Sequence, residues 1–383
     1  MNVPKLRFKE FADEWQEYVL QNESDVRDGT HDSPKYIDNG YPLITSKNLS
    51  DMGTLDFSNV RYLKKEDFDK INERSKVNIG DILFGMIGTI GKPVRVKRDD
   101  FAIKNVALIK EKGLIKNDYL IHYLHTPIIN KQFTNNQDGG TQKFISLEKI
   151  RKMKINIPSR EEQKKLILFF NLLDKKIQLQ TKKIEALKLF KSYTKSEIFK
   201  NGNHVCKLGA ILNKWNKKNK DGAINYVESI SNKAGFIPQS EQFEDRNVAS
   251  KNLRNYYVIK KGVFGYNPSR LNVGSLALKE NDFISVVSPL YECFTTTQNN
   301  TYLFEWFNSN NFKKETFSKF EGGVRNTLNF NNLCDIPINL PDIETQNQYA
   351  KYFNKINFKI SLEEQKLSEL VKFKKGLLQD MFI

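Results

Sequence analysis

Residues 159–200 read SREEQKKLILFFNLLDKKIQLQTKKIEALKLFKSYTKSEIFK, with no Gly, no Pro and charged residues set among apolar ones throughout. Ser159 with Glu162 reads as a capping-box start, and Gly202 as a C-terminal stop. Apolar residues at Leu166, Phe170, Leu173, Ile177, Ile184 and Leu187 follow a 4-3-4 spacing with one gap at Gln180, the seam of a coiled coil. About forty residues at ~1.5 Å rise make a rod of about 60 Å. Such a helix cannot bury its stripe alone.

Its partner is a second copy of itself. Adding 183 to each number carries residues 138–199 onto 321–382 without a gap, with 17 identities in 62 pairs. They include Gly139/Gly322, Gly140/Gly323, Asn156/Asn339, Pro158/Pro341, Gln163/Gln346 and Phe199/Phe382. The second seam runs through Tyr349, Phe353, Ile356, Ile360, Leu367 and Leu370, with Glu363 at the offset of Gln180. In an antiparallel pair these two polar positions either approach one another and fix register or lie where the seam opens to solvent.

The helices at 159–201 and 342–383 divide the chain from two further regions, 1–158 and 202–341. In the first, YPLIT (41–45), DILFGMI (81–87) and FAIKNVALI (101–109) read as strands, and KKEDFDKINE (64–73) and NDYLIHYLHTP (117–127) as helices. In the second, VIKKGVFGY (258–266) and DFISVVSPLYECF (282–294) read as strands and TYLFEWFNS (301–309) as a helix. The fold class is α+β. VNIGDILFG (77–85) and VIKKGVFGY share a strand entry and a Phe-Gly pair, but little else in the two interiors matches. The opening segment puts Leu6, Phe8, Phe11 and Trp15 on one side, to pack on the first region.

Composition points to a polyanionic partner: 61 Lys and Arg against 45 Asp and Glu give a formal charge of +16. A lysine-rich solvated surface also explains the charge. At 39% apolar and 12% aromatic the chain is globular. Three scattered cysteines fit free thiols in a reducing compartment, and no signal peptide or membrane-length apolar run is present, so the expected location is the cytoplasm.

Catalytic motifs are missing. GMIGTIGKP (85–93) has Met86 where a Walker loop needs Gly and Pro93 where Ser or Thr must hold Mg²⁺, so a tight Gly-rich turn is the better reading. YNPSR (266–270) begins like the Asn-Pro-Pro-aromatic motif of amino-methyltransferases but has Ser269 and Arg270 in the decisive places. His122 and His125 stand three apart on a helix without a third metal ligand in view. These residues indicate binding, with no catalytic group and no metal site.

The residues resemble the specificity (S) subunits of type I restriction-modification systems. VPKLRFKEFADEW, DGTHDSPKY (28–36), GDILFGMIGTIGK (80–92), GVFGYNPSRLNVGS (262–275) and the twice-written run from Gly-Gly through Pro to Glu-x-Gln carry the resemblance over essentially the whole chain. It implies two target recognition domains joined by two long helices forming an antiparallel coiled coil, a pseudo-two-fold internal repeat. Each domain would read half of a bipartite, asymmetric sequence in double-stranded DNA, and the helices would set the unread spacer. The subunit would be non-catalytic. Two methyltransferase subunits and two restriction subunits would assemble on it, bringing S-adenosylmethionine, ATP and Mg²⁺. A self-sufficient restriction or methylation enzyme and a coiled-coil scaffold without sequence preference are the alternatives.

Base and phosphate contacts call for polar and basic residues on loops. The candidates are Thr30, His31, Ser46, Lys47, Asn48, Thr89, Lys92, Gln142 and Lys143 in the first region. In the second they are Ser231, Asn267, Ser269, Arg270, Arg325 and Asn326. Each is equally explained as a turn-stabilising or solvated residue. Lys175, Lys176, Lys182 and Lys183 on the helix read as a solvated or subunit-facing surface.

Overall fold

The duplicated stretch forms two long helices in the computed structural model, which describes residues 3–50, 53–135, 144–200, 202–232, 234–242, 252–271, 274–317 and 327–383. We label helices α1 (Asn117–Leu124), α2 (Pro127–Asn135), α3 (Leu147–Arg151) and α4 (Arg160–Ile198), then α5 (Asn300–Phe307), α6 (Asn310–Phe317), α7 (Phe330–Cys334) and α8 (Ile343–Asp380). Helices α1, α3 and α4 each begin 183 residues before α5, α7 and α8. The duplication therefore reaches back to Asn117 and Asn300, before the gapless stretch that begins at residues 138 and 321. Both identity, at Asn117/Asn300, Tyr119/Tyr302 and Leu120/Leu303, and burial persist there: Tyr119, Leu120 and Tyr123 lie under the first sheet, and Tyr302, Leu303 and Trp306 under the second.

The chain divides into two compact units, Met1–Thr181 with Lys366–Ile383, and Lys182–Gln365. The division cuts both long helices in mid-length, because each half-helix buries its seam within its own unit. Leu166, Phe170, Leu173, Ile177, Ile184, Phe353, Ile356 and Ile360 are buried, while Leu187, Leu367 and Leu370 are half-buried. In the first unit Phe170 meets Phe382 and Lys374 donates to Asp174. In the second, Phe199 meets Phe353 and Lys183 donates to Glu363 at 2.9 Å. Numbers rise on one helix as they fall on the other, so the pairing is antiparallel in both. The polar interruption is not equivalent in its two copies: Glu363 is buried against Lys183, and Gln180 is half-buried.

Ser159 caps α4 as expected, its Oγ accepting from Glu162 N at 3.3 Å. The return half of the box is diverted. The buried Glu162 carboxylate accepts from Arg7 Nε at 2.8 Å and Nη2 at 2.7 Å and from Trp15 Nε1 at 3.2 Å, pinning the opening segment to the first unit. Phe8 packs edge-on against Phe169, while Leu6 stays half exposed. Gly202 is not a helix cap but a close approach: a Cβ there would lie 2.5 Å from the Asn339 side chain.

Each unit holds the same sheet. Strands β1 (Ser24–Asp28), β2 (Ile82–Gly85), β3 (Gly91–Arg95) and β4 (Val106–Glu111) lie in the order β1-β4-β2-β3. In the second unit β5 (Leu212–Lys214), β6 (Phe264–Tyr266), β7 (Leu276–Leu278) and β8 (Glu292–Thr296) lie in the matching order β5-β8-β6-β7. All pairs in both are antiparallel. The shared Phe-Gly pairs, Phe84-Gly85 and Phe264-Gly265, fall on the corresponding β2 and β6. The first unit adds a second four-stranded sheet, in which Tyr41–Ile44 pairs in parallel with Ala102–Ile103. FAIKNVALI is thus two strands, broken at Lys104-Asn105, and VIKKGVFGY and DFISVVSPLYECF are each broken by a turn as well.

Two aromatic clusters close the units. Phe382, from the far end of α8, stands 5.4 Å from Phe170, 5.6 Å from Tyr119 and 6.1 Å from Trp15. Phe199, just past α4, stands 6.0 Å from Phe353 and 5.3 Å from Tyr302, the positions 183 beyond Phe170 and Tyr119. The Pro and Gln identities have a similar cause: Gln163 Nε2 donates to Pro158 O at 3.2 Å and Gln346 Nε2 to Pro341 O at 2.9 Å. Phe382→Ala and Phe199→Ala should each cost about 3–5 kcal/mol, measured by chemical denaturation, each loosening its own unit first in hydrogen exchange.

Buried histidines make the first unit acid-sensitive. Burial, aided by the nearby Lys374 ammonium, pulls His122 down to about 3 and His125 down to about 4. His122 also faces Asn171 at 3.2 Å, Asp174 at 3.8 Å and the ring of Phe170. A depressed histidine contributes stability that is complete above its unfolded value near 6.5 and is lost as pH falls toward the folded value. The denaturation midpoint of the first unit should therefore drop between about pH 6.5 and 4, and His122→Asn should flatten that slope.

Candidate nucleic-acid interface

Two hairpins at matching places in the two sheets carry part of the expected interface. In the first unit the β2–β3 turn folds back on its own strand: a Cβ at Gly85 would lie 2.1 Å from Thr89 O. Thr89 is half-buried, and Lys92 has φ +47°, a left-handed backbone unusual outside glycine. Pro93 follows on β3, an edge strand that loses little by lacking an N–H. GMIGTIGKP is thus the tight turn its glycines indicate.

In the second unit β6 passes into β7 through an Asx turn. Asn267 Oδ1 accepts from Ser269 N at 3.0 Å, and Asn267 O accepts from Arg270 N at 3.0 Å. Ser269 and Arg270 are left exposed. Both hairpins are held by the segment that enters the next short helix: Ile145 N donates to Met86 O at 2.9 Å and Leu328 N to Pro268 O at 3.0 Å, the two donors again 183 residues apart. Gln142, Lys143, Arg325 and Asn326, which stand just before those anchors in sequence, lie outside the described residues.

Ser231 caps a third hairpin, Glu228–Ser231 with Gly235–Pro238, which lies on β6 so closely that a Cβ at Gly265 would meet Ile230 Cδ1 at 2.8 Å. Beneath it is an ion pair that sequence reading missed. Lys279, 1% exposed, donates to Glu228 Oε2 at 2.5 Å, and Ser285 Oγ donates to the same oxygen at 2.5 Å. Removing one partner of such a pair strands the other charge without water, so the pair dictates where the hairpin sits.

The remaining candidates of the first unit gather around Asn105. Thr30 bridges to Lys104, and Asn105 N donates to Thr30 O at 3.2 Å. His31 Nδ1 lies 2.7 Å from Asn105 Oδ1 and its Nε2 lies 2.8 Å from Asp28 Oδ2. Arg74 also reaches Asp28, and Lys104 Nζ donates to Ser33 Oγ at 2.7 Å. Lys47 is exposed, but Ser46 and Asn48 are buried and committed: Ser46 Oγ donates to Asn105 O, and Asn48 Oδ1 accepts from Thr45 N while its amide donates to Asp56 O. Those two hold the loop instead of facing outward. Asn105, Lys104 and Arg74 were absent from the sequence candidates. The signal for Asn105 was an Asn interrupting an apolar run, and its φ of +54° is the conformation Asn tolerates best after Gly.

Asp28 first, then Asn105, raise the His31 imidazole above its ordinary value. The stabilisation this brings is complete below pH ~6.5 and is lost as pH rises through the raised value. Asn105→Gly keeps the backbone and removes the acceptor, so an NMR titration should find His31 moved back toward 6.5 with stability little changed. Asn105→Ala should cost about 1–2 kcal/mol in strain as well.

The chain is thus a duplicated scaffold of charge +16, each unit carrying a loop-bearing antiparallel sheet beside paired halves of the long helices. Residues 14–189 match the family described as the type I restriction modification DNA specificity domain. The chain is 26% identical over 163 residues to the specificity subunit of the type I restriction enzyme EcoBI of Escherichia coli, covering 40% of this chain and 34% of that protein. It is 26% identical over 213 residues to the putative MjaX specificity subunit of Methanocaldococcus jannaschii, covering 52% and 49%. It thus spans a third to a half of the length of these curated relatives. The S subunit of the type I system of M. genitalium has the same fold, with a TM-score of 0.60 at 13% identity over 100% of this chain and 99% of that one. A chain from a structure of complex assembly and conformational transition in the type I R-M system superposes with a TM-score of 0.54 at 14% identity, over 95% and 96%. Residues 14–189 are thus similar to the DNA specificity domain of type I restriction-modification systems, and the whole chain shares the fold of S subunits. Among the described residues no helix is long and apolar enough to cross a membrane, and no cluster of His, Cys, Asp or Glu is placed to hold a metal ion.

Proposed function

We propose that this chain is a non-catalytic, DNA-reading subunit: each unit reads one part of a bipartite, asymmetric duplex target, and the chain directs methyltransferase and restriction subunits to it. The observation that carries this reading is the repeated hairpin. One sheet order and one anchoring hydrogen bond recur in both units, while the tip residues differ, with the half-buried Thr89 and Lys92 on one hairpin and the half-buried Asn267 and exposed Ser269 and Arg270 on the other. A duplicated frame with unlike tips suits a target whose two halves have unlike sequences. Arg270 is suited to a guanine edge, and Lys47 and Lys92 to phosphates.

The long helices, 39 and 38 residues, would serve as the ruler for the unread spacer. At ~1.5 Å per residue each is about 58 Å long, enough to bridge half-sites one DNA turn, about 34 Å, apart. Two methyltransferase subunits and two restriction subunits complete the assembly in this reading, and S-adenosylmethionine, ATP and Mg²⁺ belong to them. Mapping N6-methyladenine in the source genome tests it: deleting the gene should abolish methylation at one bipartite motif, and unchanged methylation overturns the reading. Inserting four residues beside Gln180 should lengthen the spacer and leave both half-sites intact, whereas Arg270→Ala should relax one base position at a cost of about 1–3 kcal/mol in binding.

A further inference from the structure

The second unit contains a basic cleft that the recognition loops do not account for. Its volume is about 490 Å³, and it lies along the end of α4, the start of α6 and the middle of α8. Lys188, Lys191 and Lys195 project into it from one face of α4, at spacings of three and four, and Lys313 enters from α6. Asn308, Asn310 and Asn357 also line it, the amides of Asn308 and Asn357 donating to Phe304 O at 2.9 Å and Glu305 Oε1 at 3.0 Å. Two carboxylates answer the lysines. Glu364 accepts from Lys188 at 2.7 Å, and the buried Glu305 accepts from Lys191 at 2.6 Å and from Lys195 at 3.1 Å. Four ammonium groups against two carboxylates leave two positive charges in excess. Lys313 has no ion-pair partner among the described residues.

The cleft is filled by positive charge at some cost. Burial pulls the Lys195 ammonium below its ordinary value even beside Glu305, and Lys191 and Lys313 add to the effect. The duplication supplies a control. At the positions 183 residues away in the first unit, Lys188 becomes Val371, Lys195 becomes Leu378 and Lys313 becomes Asn130. Only Lys191 is retained, as Lys374, and it is bound to Asp174; Glu305 becomes the neutral, buried His122. Helix pairing therefore does not require these lysines, since one copy of the scaffold pairs without them. Like charges gathered in a cleft that packing does not demand are suited to hold an anion.

We propose that this cleft binds phosphoryl groups. The lining is ammonium, amide and hydroxyl (Ser192, Ser361), with one carboxylate, Glu364, held by Lys188, a single aliphatic residue, Ile360, and no aromatic face on which a nucleobase would stack, so recognition falls on phosphate oxygens alone. The phosphate comes either from a free compound such as pyrophosphate or from the backbone of a bound duplex.

Titration calorimetry of the full chain with inorganic pyrophosphate, at constant ionic strength set by chloride, tests this. Saturable binding is expected. Lys313→Met, an exposed position whose loss strands no buried charge, should weaken it about tenfold, and Glu305→Gln, which frees Lys191 and Lys195, should tighten it. Lys220→Met, outside the cleft, should change it less than twofold. A random-sequence duplex that competes with pyrophosphate identifies the backbone as the source, and one that does not compete identifies a free phosphate compound; both agree with the site. Absence of saturable binding, or equal weakening by Lys220→Met and Lys313→Met, overturns it.

Discussion

Phe382 and Phe199 complete the cores of the two units from the far ends of the long helices, and the remaining architecture depends on that exchange. Phe382 lies among Trp15, Tyr119 and Phe170, and Phe199 between Tyr302 and Phe353. Burying a phenylalanine fully is worth about 1.5–3 kcal/mol, so neither aromatic cluster is indifferent to losing its ring. The last residue is tied in as well, since Ile383 O accepts from Tyr123 Oη at 2.6 Å and from Asn156 Nδ2 at 2.8 Å. A helix that must end inside a core cannot slide along its partner without emptying it. Register along the seam is thereby set at its ends as well as by Glu363 and Lys183 in its middle.

The same constraint explains why the duplication persists unevenly. Residues that meet across the helix ends, Phe170 and Phe353 or Gln163 and Gln346, keep their identity because the contact allows one shape. The sheets keep only their order. A strand needs apolar residues on its buried side, and Ile82, Phe84 and Ala107 satisfy that need as well as Tyr266, Leu276 and Phe294 do. Hairpin tips carry no such demand, so Thr89 and Arg270 diverge freely. Charge on the helices diverges too, which separates the lysine-lined cleft near Glu305 from the surroundings of the neutral His122, where the one retained lysine, Lys374, is paired with Asp174.

Much was legible in the chain. The heptad spacing, the 183-residue offset, the Phe-Gly pairs and the turn at residues 85–93 all follow from local rules of periodicity and backbone geometry, and each holds in the structure. The helical part of the repeat from Asn117 is short, and its three identities, Asn117/Asn300, Tyr119/Tyr302 and Leu120/Leu303, stand apart from the 62-residue stretch. Strands were read too long at FAIKNVALI, VIKKGVFGY and DFISVVSPLYECF, since an apolar run does not record where a backbone turns. In the interface, Ser46 and Asn48 have the side chains of a DNA contact but are used to close their loop. Asn105, Arg74 and the Lys279–Glu228 pair escaped because their partners lie far off in sequence.

The amino-acid sequence by itself determined that there are two units, that two long helices pair, and that the chain carries a large positive charge, because periodicity, duplication and composition are written along one dimension. Tertiary structure alone decided how each long helix is shared between units, which polar side chains face outward and which are consumed in holding loops, and where four lysines gather in one copy of the scaffold. Those are properties of groups brought together from distant positions, and their energies come from burial and from partners that no local pattern records.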